Sequence, residues 1–307
     1  MLGATGVQGP DWAFPMPASG PAHGPPSGVG RRFSLPGARG AHTAAEIQNT
    51  SLPVDWYPDD HAPMPAQVAR AQAPGGWACA YCHMPGGQGR PENAVLAGLH
   101  ADYIVRQLQA FHAGTRSGAR PGWTPTALMI GVAVSARPAD VAVAARYFSR
   151  ERFVSRVRVV EAALAPSAEP AFGVWRRTGA RTQPLGQRIL TMPDNYDAFE
   201  LRDGRATFTA FVPPGSVAAG AALAQSGGPA RQPCASCHGV GLAGGLGPPL
   251  AGRFPDYVYR QLLAFRGNGR QGREAAPMRA IASRLTDPQM IALAGYAASL
   301  KPVVLGR

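Results

Sequence analysis

Two short phrases hold every cysteine in the chain: "CAYCHMPGGQG" at Cys79–Gly89 and "CASCHGVGLAGG" at Cys234–Gly245. Each is a Cys-x-x-Cys-His motif. Around them the chain repeats itself. "YIVRQLQAFHAGTR" (Tyr103–Arg116) matches "YVYRQLLAFRGNGR" (Tyr257–Arg270) at seven of fourteen positions. In both copies the apolar residues fall at i, i+4 and i+7, namely Ile104, Leu108 and Phe111, then Val258, Leu262 and Phe265. That spacing puts them on one face of a helix. Each copy closes on a second helical pattern, "RPADVAVAARYFS" and "LTDPQMIALAGYAASL". In the latter, Thr286, Asp287 and Pro288 read as a helix start. A duplicated, mostly helical unit of under 100 residues is the frame that any function must fit.

Three chemistries use Cys-x-x-Cys twice. A zinc site would take four thiolates into one shared core and has no need of a histidine after each pair. A redox-active disulfide needs only one motif. Covalent haem attachment needs this spacing and this histidine. Two thiols add to the two vinyl groups on one porphyrin edge, and the next residue brings its imidazole to the iron. Haem also serves a small domain as most of its core. Haem is therefore the reading for both motifs, through Cys79, Cys82 and His83, and through Cys234, Cys237 and His238.

With these residues in place the chain resembles the tandem two-haem class I cytochromes c of bacteria. The resemblance rests on the two motifs, on "LAG" at Leu96–Gly98 and Leu250–Gly252, on the "Y..RQL.AF" helices and on a methionine before each final helix. It implies a mainly α fold with two class I cytochrome c domains, at 66–150 and 214–303. It also implies two haem c groups, and electron transfer on the outer side of the bacterial inner membrane. Residues 1–65, rich in Pro and Gly, form an irregular extension outside that pattern. "PMPASGPAHGPPSG" reads as irregular, whereas "VDWYPDDHAPMP" has the aromatic and acidic character to lie on a neighbouring domain. Residues 151–213 form a small β insert. "RVRVVEAA", "GQRILTM" and "FELRDGRATFTAFVPPG" favour strands, and Asp203-Gly204 reads as a hairpin turn.

The sixth iron ligand in cytochromes c is commonly methionine, which raises the potential. Met129 stands 18 residues before Tyr147, and Met278 stands 18 before Tyr296. This shared register nominates both. Met290 reads as core packing, and Met84, next to His83, is badly placed for the opposite haem face. His100 and His112 remain rivals to Met129. In the resembled family a proline carbonyl receives the proximal imidazole. Pro248 fits, whereas Ala94 stands there in the first repeat. Arg116 and Arg270 are candidates for haem propionate contacts, against plain surface arginines.

The net charge is +12, and Lys301 is the only lysine. A basic balance favours an acidic redox partner. With no dense basic run, nucleic acid is not expected. No apolar stretch reaches the roughly 18 residues needed to span a bilayer, and the chain's start lacks a signal-peptide pattern. Because haem attachment in bacteria occurs outside the cytoplasm, a periplasmic location with a signal removed or upstream is expected. The expected function is electron carriage between protein partners without catalysis. The alternatives are a cytochrome subunit of a dehydrogenase or oxidase complex, or a haem enzyme such as a peroxidase.

Overall fold

The computed structural model describes residues 9–17 and 30–302. Most of the stretch "PMPASGPAHGPPSG" and the chain's start lie outside the described residues. Among the described residues no helix is long and apolar enough to cross a membrane.

The first repeat contains the one-turn helix Cys79–His83, then Ala101–His112, Thr124–Ser135 and Pro138–Arg150. The second contains Ser216–Ser226, Ala235–His238, Pro255–Arg266, Ala276–Ala282 and Asp287–Ser299. The last helix begins as its sequence requires. Thr286 accepts from the Gln289 amide while the Gln289 side chain accepts from the Thr286 amide, a reciprocal cap. Ser216–Ser226 crosses this helix closely because Gly220 has no side chain. A Cβ there would lie 2.1 Å from the Ala292 carbonyl oxygen.

The repeated helices differ in burial. In Ala101–His112 only Ile104 and Phe111 are fully buried, as one apolar face demands. Pro255–Arg266 buries Asp256, Tyr259, Arg260 and Leu263 as well. The extension and the insert cover its other faces. Trp12 stacks on Tyr259 with ring centroids 4.6 Å apart, and Thr191 of the insert donates to Asp256.

The insert supplies a three-stranded sheet. Val157–Glu161 runs parallel to Phe208–Val212, with Val157 opposite Phe208, and Leu190–Pro193 lines up antiparallel to Phe208–Val212. A separate hairpin pairs Leu164–Pro170 with Trp175–Pro184 around a bulge. The expected hairpin at Asp203-Gly204 is not formed. Asn195 caps a short helix, Tyr196–Glu200, by accepting from the Ala198 amide, and Asp203 ends that helix through its amide bond to the Ala198 carbonyl. The Phe-Glu-Leu alternation looks like a strand. It is a helical turn that buries Phe199 against Phe208.

The "VDWYPDDHAPMP" stretch does lie on its neighbours. Trp56 Nε1 donates to the Leu201 carbonyl at 2.8 Å, and Arg205 forks onto Asp60 at 2.6 and 2.7 Å, tying the extension to the insert. His61 meets the Tyr147 hydroxyl at 3.1 Å, tying it to the first repeat.

Candidate functional site

In the first repeat the motif turn brings Cys79, Cys82 and His83 to one cavity of about 590 Å³. The His83 Nδ1 lies 2.8 Å from the Ala94 carbonyl oxygen. A carbonyl only accepts, so Nδ1 carries the proton and Nε2 keeps its lone pair for a metal. Burial, aided by the charge of Arg116, holds the imidazole pKa below its ordinary value and so keeps it neutral. Burial also pushes the Cys79 thiol up to about 11. A redox-active dithiol needs the opposite shift. Both thiols are free of any disulfide.

Met129 sits on Thr124–Ser135 and lines this same cavity. His100 and His112 are exposed and outside its wall, and the His112 Nδ1 is engaged 3.2 Å from the Ala133 carbonyl. Met84 is buried at φ +66° in the turn that leaves the motif.

The second motif repeats the imidazole geometry. The His238 Nδ1 lies 2.8 Å from the Pro248 carbonyl oxygen, and burial again lowers the pKa. Cys234 and Cys237 are half-buried free thiols. Met278 is half-buried on Ala276–Ala282, against the core that encloses the fully buried Met290. Gly247 stands out only in the structure. A Cβ on it would stand 2.8 Å from His238 Cε1 and 2.9 Å from Nδ1, so only glycine leaves that ring its place. Among the described residues no three His, Cys, Asp or Glu side chains converge to hold a metal ion, so the four thiols do not make a shared zinc cage.

Arg116 and Arg270 are not surface residues. Both are over nine-tenths buried. Arg116 donates to Gln107 of its own repeat at 2.9 Å, and to Gln261 and the Tyr257 hydroxyl of the other at 3.0 and 3.1 Å. Arg270 donates to its own Gln261 at 3.2 Å and across to Gln107 at 2.7 Å. These are the same motif positions in each copy, so the repeats lock through a two-fold-like knot. Burial alone would raise the Tyr103 phenol, but Arg270 and Arg116 outweigh it and hold its pKa below the ordinary value. Arg116 and Tyr103 line the cavity. Arginines outnumber carboxylates in its wall by five to three, an excess of two positive charges. A large apolar pocket with thiols, an imidazole, a thioether and that excess fits one haem with two propionates.

Comparison with known proteins follows the same lines. Residues 216–296 match the family model described as Cytochrome C oxidase, cbb3-type, subunit III. Over 240 residues the chain is 29% identical to the thiosulfate dehydrogenase electron acceptor of Thiomonas intermedia (strain K12), covering 74% of this chain and 84% of that protein. Over 221 residues it is 26% identical to cytochrome c4 of Azotobacter vinelandii, covering 71% of this chain and 82% of that one. The solved thiosulfate dehydrogenase (TsdBA) from Marichromatium purpuratum is 28% identical with a TM-score of 0.47, over 72% of this chain. The chain spans 36% of that one, about a third of its length.

Proposed function

We infer the part each residue plays from one premise: the chain is a two-haem c-type cytochrome, homologous to cytochrome c4. Its function is electron transfer. Cys79 and Cys82 tether one haem c, and Cys234 and Cys237 the other. His83 and His238 would each offer Nε2 to the iron, and Met129 and Met278 would each offer a thioether sulfur. Bound haem c contributes an iron that holds or gives up one electron. The chain's own groups do the rest. The Ala94 and Pro248 carbonyls fix each imidazole tautomer, and the thioethers favour the reduced iron. Arg116 and Arg270, buried between the repeats, neutralise propionates.

The observation that carries this reading is the repeated imidazole geometry. In each copy Nδ1 donates to a backbone carbonyl at 2.8 Å, which leaves Nε2 free beside two free thiols. No acid–base pair is needed, because an outer-sphere electron moves without making or breaking a bond. The partners are redox proteins. We propose a dehydrogenase as the donor, on the strength of the Thiomonas relative's name. The domains are those at 66–150 and 214–303, working in the periplasm. Service as the cytochrome subunit of a larger dehydrogenase assembly is the second reading, favoured by the same relative.

Denaturing mass measurement of the protein from its native host tests the cofactor assignment. The expected mass is the chain plus two haems. One haem, or a bound zinc, overturns it.

A further inference from the structure

The insert carries one cation to the first haem motif. Helix Tyr196–Glu200 ends in a turn where the Arg202 amide donates to the Phe199 carbonyl and the Asp203 amide to the Ala198 carbonyl, each at 3.0 Å. Such a turn puts one residue in the left-handed region, and glycine usually takes that place. Here the residue is Arg202, at φ +58°, although Gly204 stands two positions on. A backbone conformation that suits glycine, held by an arginine, points to a use for the side chain.

The Arg202 guanidinium donates to the Tyr81 carbonyl and lies 3.7 Å from the centre of the Tyr81 ring. Tyr81 stands between Cys79 and Cys82. Both of these partners are neutral. The carboxylate whose charge reaches Arg202 is Glu92, and it is already paired with the buried Arg90 at 2.8 Å. Asp203 accepts instead from the Arg205 amide at 2.7 Å. One positive charge is therefore left over beside the covalent tether. Burial and the charge of Arg90 press the Arg202 pKa down, but a guanidinium keeps its proton. Burial pushes the Cys82 thiol up, and of the charges that reach it Arg202 acts most strongly.

The second motif has no such cation among the described residues. Ser236 stands at the position of Tyr81, and between Gly228 and Leu250 the only formal charge is Arg231, which is exposed. At Cys234 burial raises the thiol, and the charge that acts on it is that of Cys237.

We propose that Arg202 sets the reduction potential of the first haem, raising it so that an electron shared by the two haems rests at the first. The proposal rests on the two-haem electron-transfer reading. A ferric haem carries one more positive charge than a ferrous one, so a fixed cation nearby favours the ferrous state. Away from bulk water that preference is weakly screened. The exchange moves one electron from one iron to the other, with no bond formed or broken. The two motifs alone would not separate the sites, since each imidazole meets its carbonyl at 2.8 Å. The insert, which lies outside the repeated frame, makes them unequal.

The test is redox titration of the holoprotein, with proton NMR assigning each midpoint to its haem. Arg202→Gly removes the charge and suits the turn, so the fold should survive. The first haem's midpoint should fall by the equivalent of tenfold in its hold on the electron, about 59 mV for a one-electron couple. The second haem's midpoint should stay where it is. Arg202→Gln, neutral but still able to donate to the Tyr81 carbonyl, should match Arg202→Gly. Arg202→Lys keeps a cation over the Tyr81 ring and should hold most of the wild-type value. Arg231→Gln should move neither midpoint. An unmoved first midpoint in Arg202→Gly and Arg202→Gln overturns the proposal. So does an equal fall in Arg202→Lys, because packing rather than charge is then responsible, and so does a fall of that size in Arg231→Gln or in both haems together. A pyridine haemochrome assay separates the two levels. Two haems with unmoved midpoints remove only the role of Arg202, whereas no covalent haem removes the electron-transfer reading beneath it.

Discussion

Arg116 and Arg270 face each other in an antiparallel backbone bridge, one from each repeat, and each guanidinium reaches the other repeat's glutamine. A motif that follows the same helix in each copy thus becomes the clasp between the two repeats. Arg270→Ala removes the 2.7 Å donor to Gln107, which keeps Arg116 at 2.9 Å, and one of the arginines beside Tyr103. The expected cost is about 1–3 kcal/mol, the range for a lost charged hydrogen bond in a buried place. Arg270→Lys should recover little of it, because an ammonium cannot fork between Gln107 and Gln261. Urea unfolding of the holoprotein measures both variants.

Met129 and Met278 should separate spectroscopically. Met129→Ala is expected to make one haem high-spin and lower its potential while the haem at Cys234 and Cys237 keeps its spectrum. Met278→Ala should do the reverse. If Met129→Ala leaves both haems low-spin with unaltered potentials, Met129 is only packing.

Gly247 should tolerate no side chain. The Cβ of Gly247→Ala would press on the His238 ring at 2.8 Å, closer than real Cβ contacts come. The ring must turn away from the Pro248 carbonyl. Electron paramagnetic resonance of the oxidised protein should show a changed low-spin signal for one haem only. An unchanged spectrum would mean that the backbone yields instead of the imidazole.

His61 makes attachment of the extension pH-dependent. Its ring nitrogens face acceptors on both sides, the Ala62 carbonyl at 2.8 Å and Asp55 at 3.2 Å. Burial alone would lower its pKa, but the hydrogen bonds to Asp55 and Ala62, with the charge of Glu151, outweigh it and raise it. The protonated form is therefore favoured in the folded state. Its stabilisation is complete below the ordinary histidine value of about 6.5 and is lost as pH rises through the elevated one. Thermal unfolding across pH 5 to about 9 should show that loss, and His61→Gln should flatten it. Tyr147, which also faces His61, is pushed up by burial and stays neutral throughout.

What the sequence displays and what it conceals divide by physical range. The helix faces of Ile104 and Val258, the Thr286 cap and the strand at Val157–Glu161 follow from local periodicity and caps. The fold class was legible for that reason, and the haem chemistry because four cysteines and two histidines admit few uses. At Asp203-Gly204 the local turn signal does not decide the structure. The cap at Asn195 and the burial of Phe199 depend on Phe208 and decide against a strand. Burial of Arg116 and Arg270 was hidden too, since each is covered by the other copy of its own motif. Gly247 carries no signal of its own beyond lying in a glycine-rich loop. Its reason is the ring of His238, nine residues earlier.

Residues 9–17 precede every group that holds them. Phe14 lines the first haem cavity and meets Trp123 edge-on at 5.3 Å, and the Ala13 carbonyl receives Arg260 at a separation of 247 residues. The cavity beside the first motif therefore takes part of its wall from the far end of the chain. Deleting residues 9–17 should open that side of the pocket to solvent while leaving Cys79, Cys82 and His83 in place.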